Sequence, residues 1–166
     1  MHSTSYNEMA RLVATYLSRE KPLRILDVGS CSVDGGSYRP LFQVPGWTYE
    51  GADVHAGPNV DIVLSDLYEW KLPVQYDVIV SGQTFEHIEF FWFTWQRMVD
   101  HLKPGGFLFL IAPSSGNEHR YPVDCWRFYA DGMRALAKLG KLEVLEAKTL
   151  TEGAWKDTVG AFRKGE

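Results

Sequence analysis

An acid and a glycine-rich turn near the start of the chain are the residues best suited to hold a ligand. Asp27 stands among branched apolar residues, and Gly29 follows two positions later. This pattern predicts a buried strand ending in a turn where backbone N–H groups approach a ligand closely. Cys31 and Asp34 occupy the next two glycine positions of a dinucleotide site, and the acid would repel a pyrophosphate. We therefore expect a nucleoside ligand rather than a nucleotide.

Two further acids follow predicted strands and would complete a nucleoside site. Asp53 ends a predicted strand over residues 48–53, where a carboxylate commonly accepts hydrogen bonds from two ribose hydroxyls. Asp66 follows a predicted strand over residues 60–64, and its carboxylate could accept a hydrogen bond from the amino group of adenine. The alternative is that these acids are solvated loop carboxylates.

Alternating helices and strands must position these groups. Ser5 and Glu8 have the spacing of a capping box, and Asp131 could cap a later helix. The connections after the second and third strands are too short for the helix of a parallel crossover, so we expect reduced helices there. The predicted helices cover residues 4–20, 37–42, 90–102 and 131–139, and the predicted strands cover residues 23–28, 48–53, 60–64, 76–81, 107–112 and 142–147.

The composition predicts a single domain over residues 1–166. The chain is 45% apolar and 23% charged, which suffices for one core. A net charge of -4 gives no electrostatic footprint for a nucleic-acid partner. The two cysteines match neither a disulfide framework nor a zinc spacing, and no window reaches the roughly 18 apolar residues of a membrane span. These features favour a cytoplasmic protein without a membrane partner.

Several segments, in order, resemble the motifs of class I methyltransferases that use S-adenosylmethionine, in particular the broad, type 11-like group with a Glu-His pair after the fourth strand. They are LDVGSCS, the acid in GADV, SDL, YDVIVSGQTFEHI and LKPGGFLFLIAP, and the resemblance covers about residues 23–163. It implies an α/β, Rossmann-like fold: a three-layer α/β/α sandwich around a seven-stranded, mostly parallel sheet. An antiparallel last strand over residues 155–163 would insert beside the fifth. The cofactor core would cover about residues 23–113, and the acceptor side and closing strands about residues 114–163.

The resemblance implies S-adenosylmethionine as the cofactor and S-adenosylhomocysteine as its product. The glycine turn would face the methionine part and the ribose, the acid after the second strand the ribose hydroxyls, and the acid after the third strand the adenine. The end of the fourth strand would lie beside the sulfonium. The implied cofactor-binding residues are Asp27, Gly29, Ser30, Asp53, Val54, Asp66, Leu67, Ser81 and Gly82.

Methyl transfer from a sulfonium asks little of side chains, because the carbon is already activated and positioning contributes most. A base is needed only when the acceptor must lose a proton. His87, next to Glu86, is the candidate catalytic base, since a neutral imidazole accepts a proton near pH 7. The alternative is that both residues hold the start of the following helix. Together with His119 they could converge, but they have no recognised metal-ligand spacing and methyl transfer does not demand an ion, so no metal is expected.

The segment over residues 118–131 follows the fifth strand, at the edge where an acceptor would approach the cofactor. An ion pair between Asp124 and Arg127, with Trp126 as an anchor, is expected to fix this segment. The expected acceptor-binding residues are Glu86, His119, Arg120 and Tyr121.

Aromatic residues crowd positions 90–95, more than one buried helix face can use. The spacing of Phe91, Trp95 and Met98 is that of a core stripe. The remaining rings, Phe90, Trp92 and Phe93, pack around the helix ends, form a homodimer interface or stack on an apolar or sugar acceptor.

Taken together, the sequence predicts an S-adenosylmethionine-dependent methyltransferase that acts on a small-molecule or saccharide acceptor, with oxygen the favoured atom. The competing interpretation is a catalytically inactive S-adenosylmethionine-binding protein, or a partner subunit of another methyltransferase. The short chain keeps this alternative open, because it leaves little room for an acceptor lid. A nicotinamide dehydrogenase is disfavoured by the glycine spacing.

Overall fold

A twisted seven-stranded sheet forms the middle layer of the protein in a computed structural model, which describes residues 2–166. The strand order is β3-β2-β1-β4-β5-β7-β6. The first five strands pair in parallel, and β7 lies antiparallel between β5 and β6, which confirms the predicted position of the last strand. The strands are β1 (Leu23–Val28), β2 (Trp47–Asp53), β3 (Ile62–Val63), β4 (Tyr76–Gly82), β5 (Leu102–Ala112), β6 (Leu142–Thr149) and β7 (Thr158–Lys164).

Helices cover both faces of the sheet. Successive side chains of a strand point to opposite faces, so both faces carry apolar side chains that pack against helices. The helices are α1 (Ser3–Tyr16), α2 (Phe91–His101) and α3 (Ala130–Gly140). Helix α1 joins the core on the face of Ile25 and Val80. Helices α2 and α3 join the core on the opposite face, with Leu26 and Ile79. The predicted three-layer sandwich is thus confirmed.

The connections after β2 and β3 are loops, as predicted. Residues 54–75 contain β3 and no helix, and the structure describes all of them. Strand β3 is also shorter than the predicted 60–64. No helix therefore connects β2 to β3 or β3 to β4 within these residues.

Both predicted helix caps are wrong. Helix α1 begins at Ser3, and the hydroxyl of Ser5 instead lies 2.5 Å from that of the buried Tyr38. The tertiary contact wins because Ser5 is fully buried. Likewise, the N-cap of α3 is Tyr129, and Asp131 forms an exposed ion pair with Arg134.

The ends of α1 and β7 also differ from the prediction. Helix α1 ends at Tyr16 rather than near residue 20. Strand β7 begins at Thr158 rather than at residue 155, because the carbonyl of Trp155 accepts hydrogen bonds from the N–H groups of Ser114 and Ser115. The region before β7 is thereby attached to the segment that follows β5.

The aromatic helix divides its side chains as predicted. Trp95 and Met98 are fully buried, whereas Phe90 is 48% exposed and Phe93 53% exposed. Among residues 2–166, none of the helices has the length and apolar character needed to cross a bilayer.

Candidate functional site

Two adjoining cavities open at the carboxyl ends of the central strands. The smaller cavity has a volume of about 330 Å³ and the larger about 600 Å³. Their shared lining means that one elongated ligand could occupy both. The residues that line both cavities are Gly29, Cys31, Val33, Gln83, His87 and Tyr121.

The turn after β1 passes close to the end of β4, and glycine makes this approach possible. Gly29 has a φ of +78°, and a Cβ atom there would overlap the side chain of Thr84. Its N–H donates to the carbonyl of Ala52, at 2.8 Å. At the end of β4, a Cβ atom on Gly82 would overlap the hydroxyl of Tyr38. Both glycines therefore shape the smaller cavity by leaving room for neighbouring side chains.

Asp27 is the buried acid of the smaller cavity. Its side chain is at the end of β1, the residue is 3% exposed, and it accepts a hydrogen bond from the hydroxyl of Tyr49. Burial raises the pKa of Asp27 to about 7, and the hydrogen bond from Tyr49 opposes this only in part. Its charge therefore changes near neutral pH. Sequence reasoning missed Tyr49, which only strand pairing between β1 and β2 brings close.

Ser30 lines the smaller cavity, but its polar groups are already bonded. Its hydroxyl donates to the carbonyl of Asn59, and the side-chain amide of Asn59 donates back to the carbonyl of Ser30, both at 3.0 Å. These bonds fix the turn after β1 to the loop before β3. The predicted contact of Ser30 with methionine or ribose remains a prediction.

Asp53 lies at the edge of the larger cavity, where β2 ends. One carboxylate oxygen accepts from the N–H of Cys31 at 3.1 Å, and the other from the N–H of His55 at 3.2 Å. Each oxygen keeps a further lone pair for a ligand hydroxyl. The neighbouring wall is largely apolar and contains Val54, Leu64, Leu67 and Trp70.

Two predicted cofactor residues, Asp66 and Ser81, line neither cavity. Asp66 is exposed, and the N–H groups of Glu69 and Tyr68 donate to its carboxylate and lower its pKa. Ser81 is fully buried and donates to the carbonyl of Val28 at 2.8 Å, which ties β4 to β1. In this structure both side chains are hydrogen-bonded to backbone groups. Their contacts with the cofactor remain predictions.

His87 stands where the two cavities meet. Its Nδ1 lies 2.6 Å from the carbonyl oxygen of Val123, and a carbonyl only accepts, so Nδ1 carries the proton and Nε2 is left as an acceptor. Burial lowers the pKa of His87, which keeps the ring neutral at pH 7. The predicted base is thus held in the tautomer and charge state that a base requires.

Glu86 directly precedes His87 in the chain and lines neither cavity. It is fully buried, and across residues 2–166 neither carboxyl oxygen has a hydrogen-bond partner. Burial raises its pKa to about 8. Its backbone carbonyl accepts from the N–H of Cys125 at 2.7 Å, so the acceptor-side segment is attached directly to this turn.

The predicted ion pair fixes the acceptor-side segment. Both guanidinium nitrogens of Arg127 donate to the carboxylate of Asp124, at 2.6 and 2.8 Å, and hold its pKa well below the usual range. The same carboxylate accepts from the backbone N–H of His119 at 2.8 Å. His119 and Tyr121 line the smaller cavity and Arg120 the larger, where the Arg120 side chain pairs with Glu118 on the surface.

Gln83 and Trp155 are cavity residues that the sequence predictions did not assign to the site. Gln83 follows β4 with a φ of +57°, lines both cavities, and donates to Asp157 at 3.0 Å. Its position immediately after the strand was a usable sign. Trp155 lines the smaller cavity and its ring centroid lies 4.5 Å from that of His119. Only the tertiary structure brings Trp155 there.

A family model described as a methyltransferase domain matches residues 1–150. No curated protein sequence is significantly similar to the chain.

Solved structures share the fold at low sequence identity. The 1,6-didemethyltoxoflavin-N1-methyltransferase of Burkholderia thailandensis, solved with 1,6-didemethyltoxoflavin and S-adenosylhomocysteine, is 14% identical with a TM-score of 0.74, covering 98% of this chain and 79% of that one. A putative methyltransferase in complex with the Haloferax volcanii Trm112 methyltransferase activator is 14% identical with a TM-score of 0.70, covering 98% and 91%. An O-methyltransferase family protein from Burkholderia thailandensis is 12% identical with a TM-score of 0.68, covering 96% and 56%.

Proposed function

This chain belongs to the family of methyltransferase domains, and from that premise we propose that it transfers a methyl group from S-adenosylmethionine to an oxygen atom of a small-molecule or saccharide acceptor. The observation that carries the proposal is the junction of the two cavities. A buried acid lies in one cavity, a strand-end acid in the other, and a neutral histidine between them.

The donor groups present fit this cofactor. The larger cavity has an apolar wall suited to adenine, and Asp53 at its edge retains lone pairs for the ribose hydroxyls. The smaller cavity has Asp27, whose carboxylate suits the ammonium group of the methionine part. The cofactor supplies a methyl group activated by a positive sulfur. The chain's own residues position that group and exclude water.

The acceptor side supports oxygen through His87. Its unprotonated Nε2 can take the proton that a hydroxyl loses, whereas an uncharged amine needs no base before it is methylated. The solved relatives include an N1-methyltransferase and an O-methyltransferase family protein, so the fold alone does not select the atom. The acceptor segment, with His119, Arg120 and Tyr121 at the cavities, offers polar groups for a small polar molecule.

Transfer of isotopically labelled methyl from S-adenosylmethionine tests the proposal. The purified chain is incubated with separate pools of hydroxyl, saccharide and amine acceptors, and labelled products are located by mass spectrometry. We expect S-adenosylhomocysteine to accumulate with a hydroxylated acceptor, and label to be attached to oxygen. Label found only on nitrogen would contradict the choice of oxygen. Cofactor binding without any transfer would favour the inactive binding protein.

A partner chain is the second candidate, favoured by the exposed rings beside the acceptor side. Phe90 and Phe93 are about half exposed, and Trp126 is 39% exposed. One of the solved relatives is a putative methyltransferase in complex with the Trm112 methyltransferase activator. We propose that residues 90–95 form an interface, most simply between two copies of this chain. Sedimentation velocity over a hundredfold range of concentration tests it: a dimer that Phe93→Ser dissociates is expected, and a monomer throughout would contradict it.

A cytoplasmic location completes the proposal. Cys31 and Cys125 are both free, which suits a reducing compartment. Fractionation of cells that express the chain would test this location.

A further inference from the structure

Three side chains from two segments converge beside the cavity junction. Glu86 and His87 follow β4, and His119 belongs to the segment after β5. One potential ligand atom from each lies within 4.8 Å of the others. Nothing in the spacing of these residues along the sequence predicts a cation site, because it depends on the attachment of the acceptor-side segment to the turn after β4.

The carboxyl group of Glu86 is an independent sign of a missing ligand. It is fully buried, and in the described part of the chain neither oxygen accepts or donates a hydrogen bond. Nε2 of His87 lies 3.6 Å from Oε1 of Glu86. Buried carboxyl groups are normally hydrogen-bonded, paired or bound to a metal, because an unsatisfied one is costly. A cation at this point would satisfy it.

The two histidines are oriented from outside the cluster, as metal ligands usually are. The Nδ1 of His87 is fixed by the carbonyl of Val123, which leaves Nε2 facing Glu86. His119 is held through its backbone N–H, which donates to the carboxylate of Asp124 at 2.8 Å, and Arg127 holds that carboxylate in place. The outer carbonyl partner of His87 fixes the tautomer and direction of its imidazole, as such partners do for ligating histidines.

We propose that Glu86, His87 and His119 bind one divalent transition-metal cation of the zinc type. Two imidazoles and one carboxylate form a donor set that suits Zn²⁺ and leaves a coordination position open for a further ligand. Mg²⁺ and Ca²⁺ prefer oxygen donors and fit this set poorly. Since His87 and His119 line the smaller cavity, the site adjoins the place where an acceptor would lie.

The site deepens the proposed function and, in this respect only, rests on it. With the cation bound, Nε2 of His87 is a ligand and cannot take a proton. The cation then takes over activation of the acceptor, because an oxygen bound to a divalent cation loses its proton near neutral pH. The acceptor class narrows to molecules that offer a hydroxyl or a similar ligand oxygen.

Titration of the metal-free chain, without an affinity tag, tests the site. Zn²⁺ is added in competition with a chromophoric chelator, and Co²⁺ is added separately to record its visible absorption. We expect one equivalent to bind with a dissociation constant of about 1 μM or tighter, and His-bound Co²⁺ to absorb in the visible range. Glu86→Gln and His119→Gln should each weaken Zn²⁺ binding at least about tenfold, because the loss of even an outer-shell partner of a metal ligand costs roughly 10- to 100-fold in affinity.

The matched control is His55→Gln, which removes an exposed imidazole outside the cluster and should leave the Zn²⁺ affinity unchanged. Titration with S-adenosylhomocysteine on the same samples reports folding and the proposed function separately. A chain that binds S-adenosylhomocysteine but no Zn²⁺, or a Glu86→Gln variant that binds Zn²⁺ as well as the native chain, overturns the cation site. Zn²⁺ binding without S-adenosylhomocysteine binding instead overturns the proposed cofactor.

Discussion

The cofactor side and the acceptor side of the cavities satisfy their polar groups in different ways. On the proposed cofactor side, Ser30 and Asp53 each bond to backbone groups of neighbouring segments. On the acceptor side, the oxygens of Glu86 and Nδ1 of His119 are buried without a hydrogen-bond partner in residues 2–166. The cofactor side is therefore complete before a ligand binds, whereas the acceptor side has donors and acceptors that a ligand must satisfy.

This difference predicts that cofactor affinity and turnover can be altered separately. A preformed cofactor side should bind S-adenosylhomocysteine without help from the acceptor side. Changes on the acceptor side should then alter turnover and acceptor affinity and leave cofactor affinity alone. The predictions below test this separation, from the largest expected effect to the smallest.

Gly29→Ala should damage the cofactor side most. The added Cβ overlaps the side chain of Thr84, and the φ of +78° strains any other residue. Overpacking and strain together should lower the free energy of unfolding by about 2 to 4 kcal/mol and weaken S-adenosylhomocysteine binding by more than about 100-fold. Gly35→Ala is the matched control, because Gly35 also has a positive φ, +84°, but no atom lies within 4 Å of its added Cβ. Equal losses in both variants would mean that the close approach to Thr84 is unimportant.

His87→Ala should separate the two sides. Loss of a base, or of a cation ligand, is expected to lower turnover by at least about 100-fold. The affinity for S-adenosylhomocysteine should change less than twofold, since the groups that hold the cofactor remain. Single-turnover transfer and calorimetry on the same samples measure both quantities. A parallel loss of turnover and cofactor affinity would show that the two sides are coupled through this residue.

The pH dependence of cofactor binding should follow Asp27. Its pKa of about 7 lies above the ordinary value of 3.8, so the carboxyl is mostly neutral at pH 6 and mostly ionised at pH 8. The ionised form attracts the ammonium group of the ligand, so affinity for S-adenosylhomocysteine should rise up to about tenfold between pH 6 and pH 8. Asp27→Asn should flatten this profile. A profile that survives the substitution would assign the titration to another group.

The raised pKa of Asp27 also determines the direction in which the free energy of unfolding changes with pH. The folded state holds the proton of Asp27 more tightly than the unfolded state, so the free energy of unfolding falls as the pH rises from about 4 to about 7. Asp27→Asn should remove that part of the decline. Thermal unfolding of the two chains across this range measures it.

Arg127→Gln should have the smallest effect on the reaction. It removes the guanidinium from Asp124, whose side chain is 2% exposed, and so loosens the acceptor-side segment. We expect KM for the acceptor to rise roughly fivefold, with S-adenosylhomocysteine affinity unchanged and a melting temperature lower by several degrees. Arg134→Gln breaks an exposed ion pair of the same spacing and should change neither the acceptor KM nor the melting temperature. An unchanged acceptor KM in Arg127→Gln would place the acceptor elsewhere.

Sequence reasoning placed the residues of the proposed cofactor side at the cavities more completely than it placed the contacts of the proposed acceptor side. Asp27, Gly29 and Asp53 lie at the carboxyl ends of two strands that are consecutive in the chain, so their order predicted their place at the sheet edge. The sheet and its inserted last strand followed from the resemblance. The helix caps failed because burial of Ser5 against Tyr38 overrode a local pattern.

The acceptor side depends on contacts between distant residues. The distance between His87 and Val123, and that between His119 and Trp155, are set by the attachment of one segment to another. No periodicity or spacing encodes these contacts. The same contacts bring Glu86 together with the two histidines, a convergence that the sequence allows but that no ligand spacing encodes.

Calorimetric titration with S-adenosylhomocysteine, in parallel for the native chain and Asp53→Ala, tests the central claim most directly. A preformed cofactor side predicts micromolar binding by the native chain alone, about -8 kcal/mol. Asp53→Ala should weaken it by roughly 100-fold, since two hydrogen bonds to a charged group are lost. An absence of binding by the native chain, or equal binding by both chains, would contradict the account.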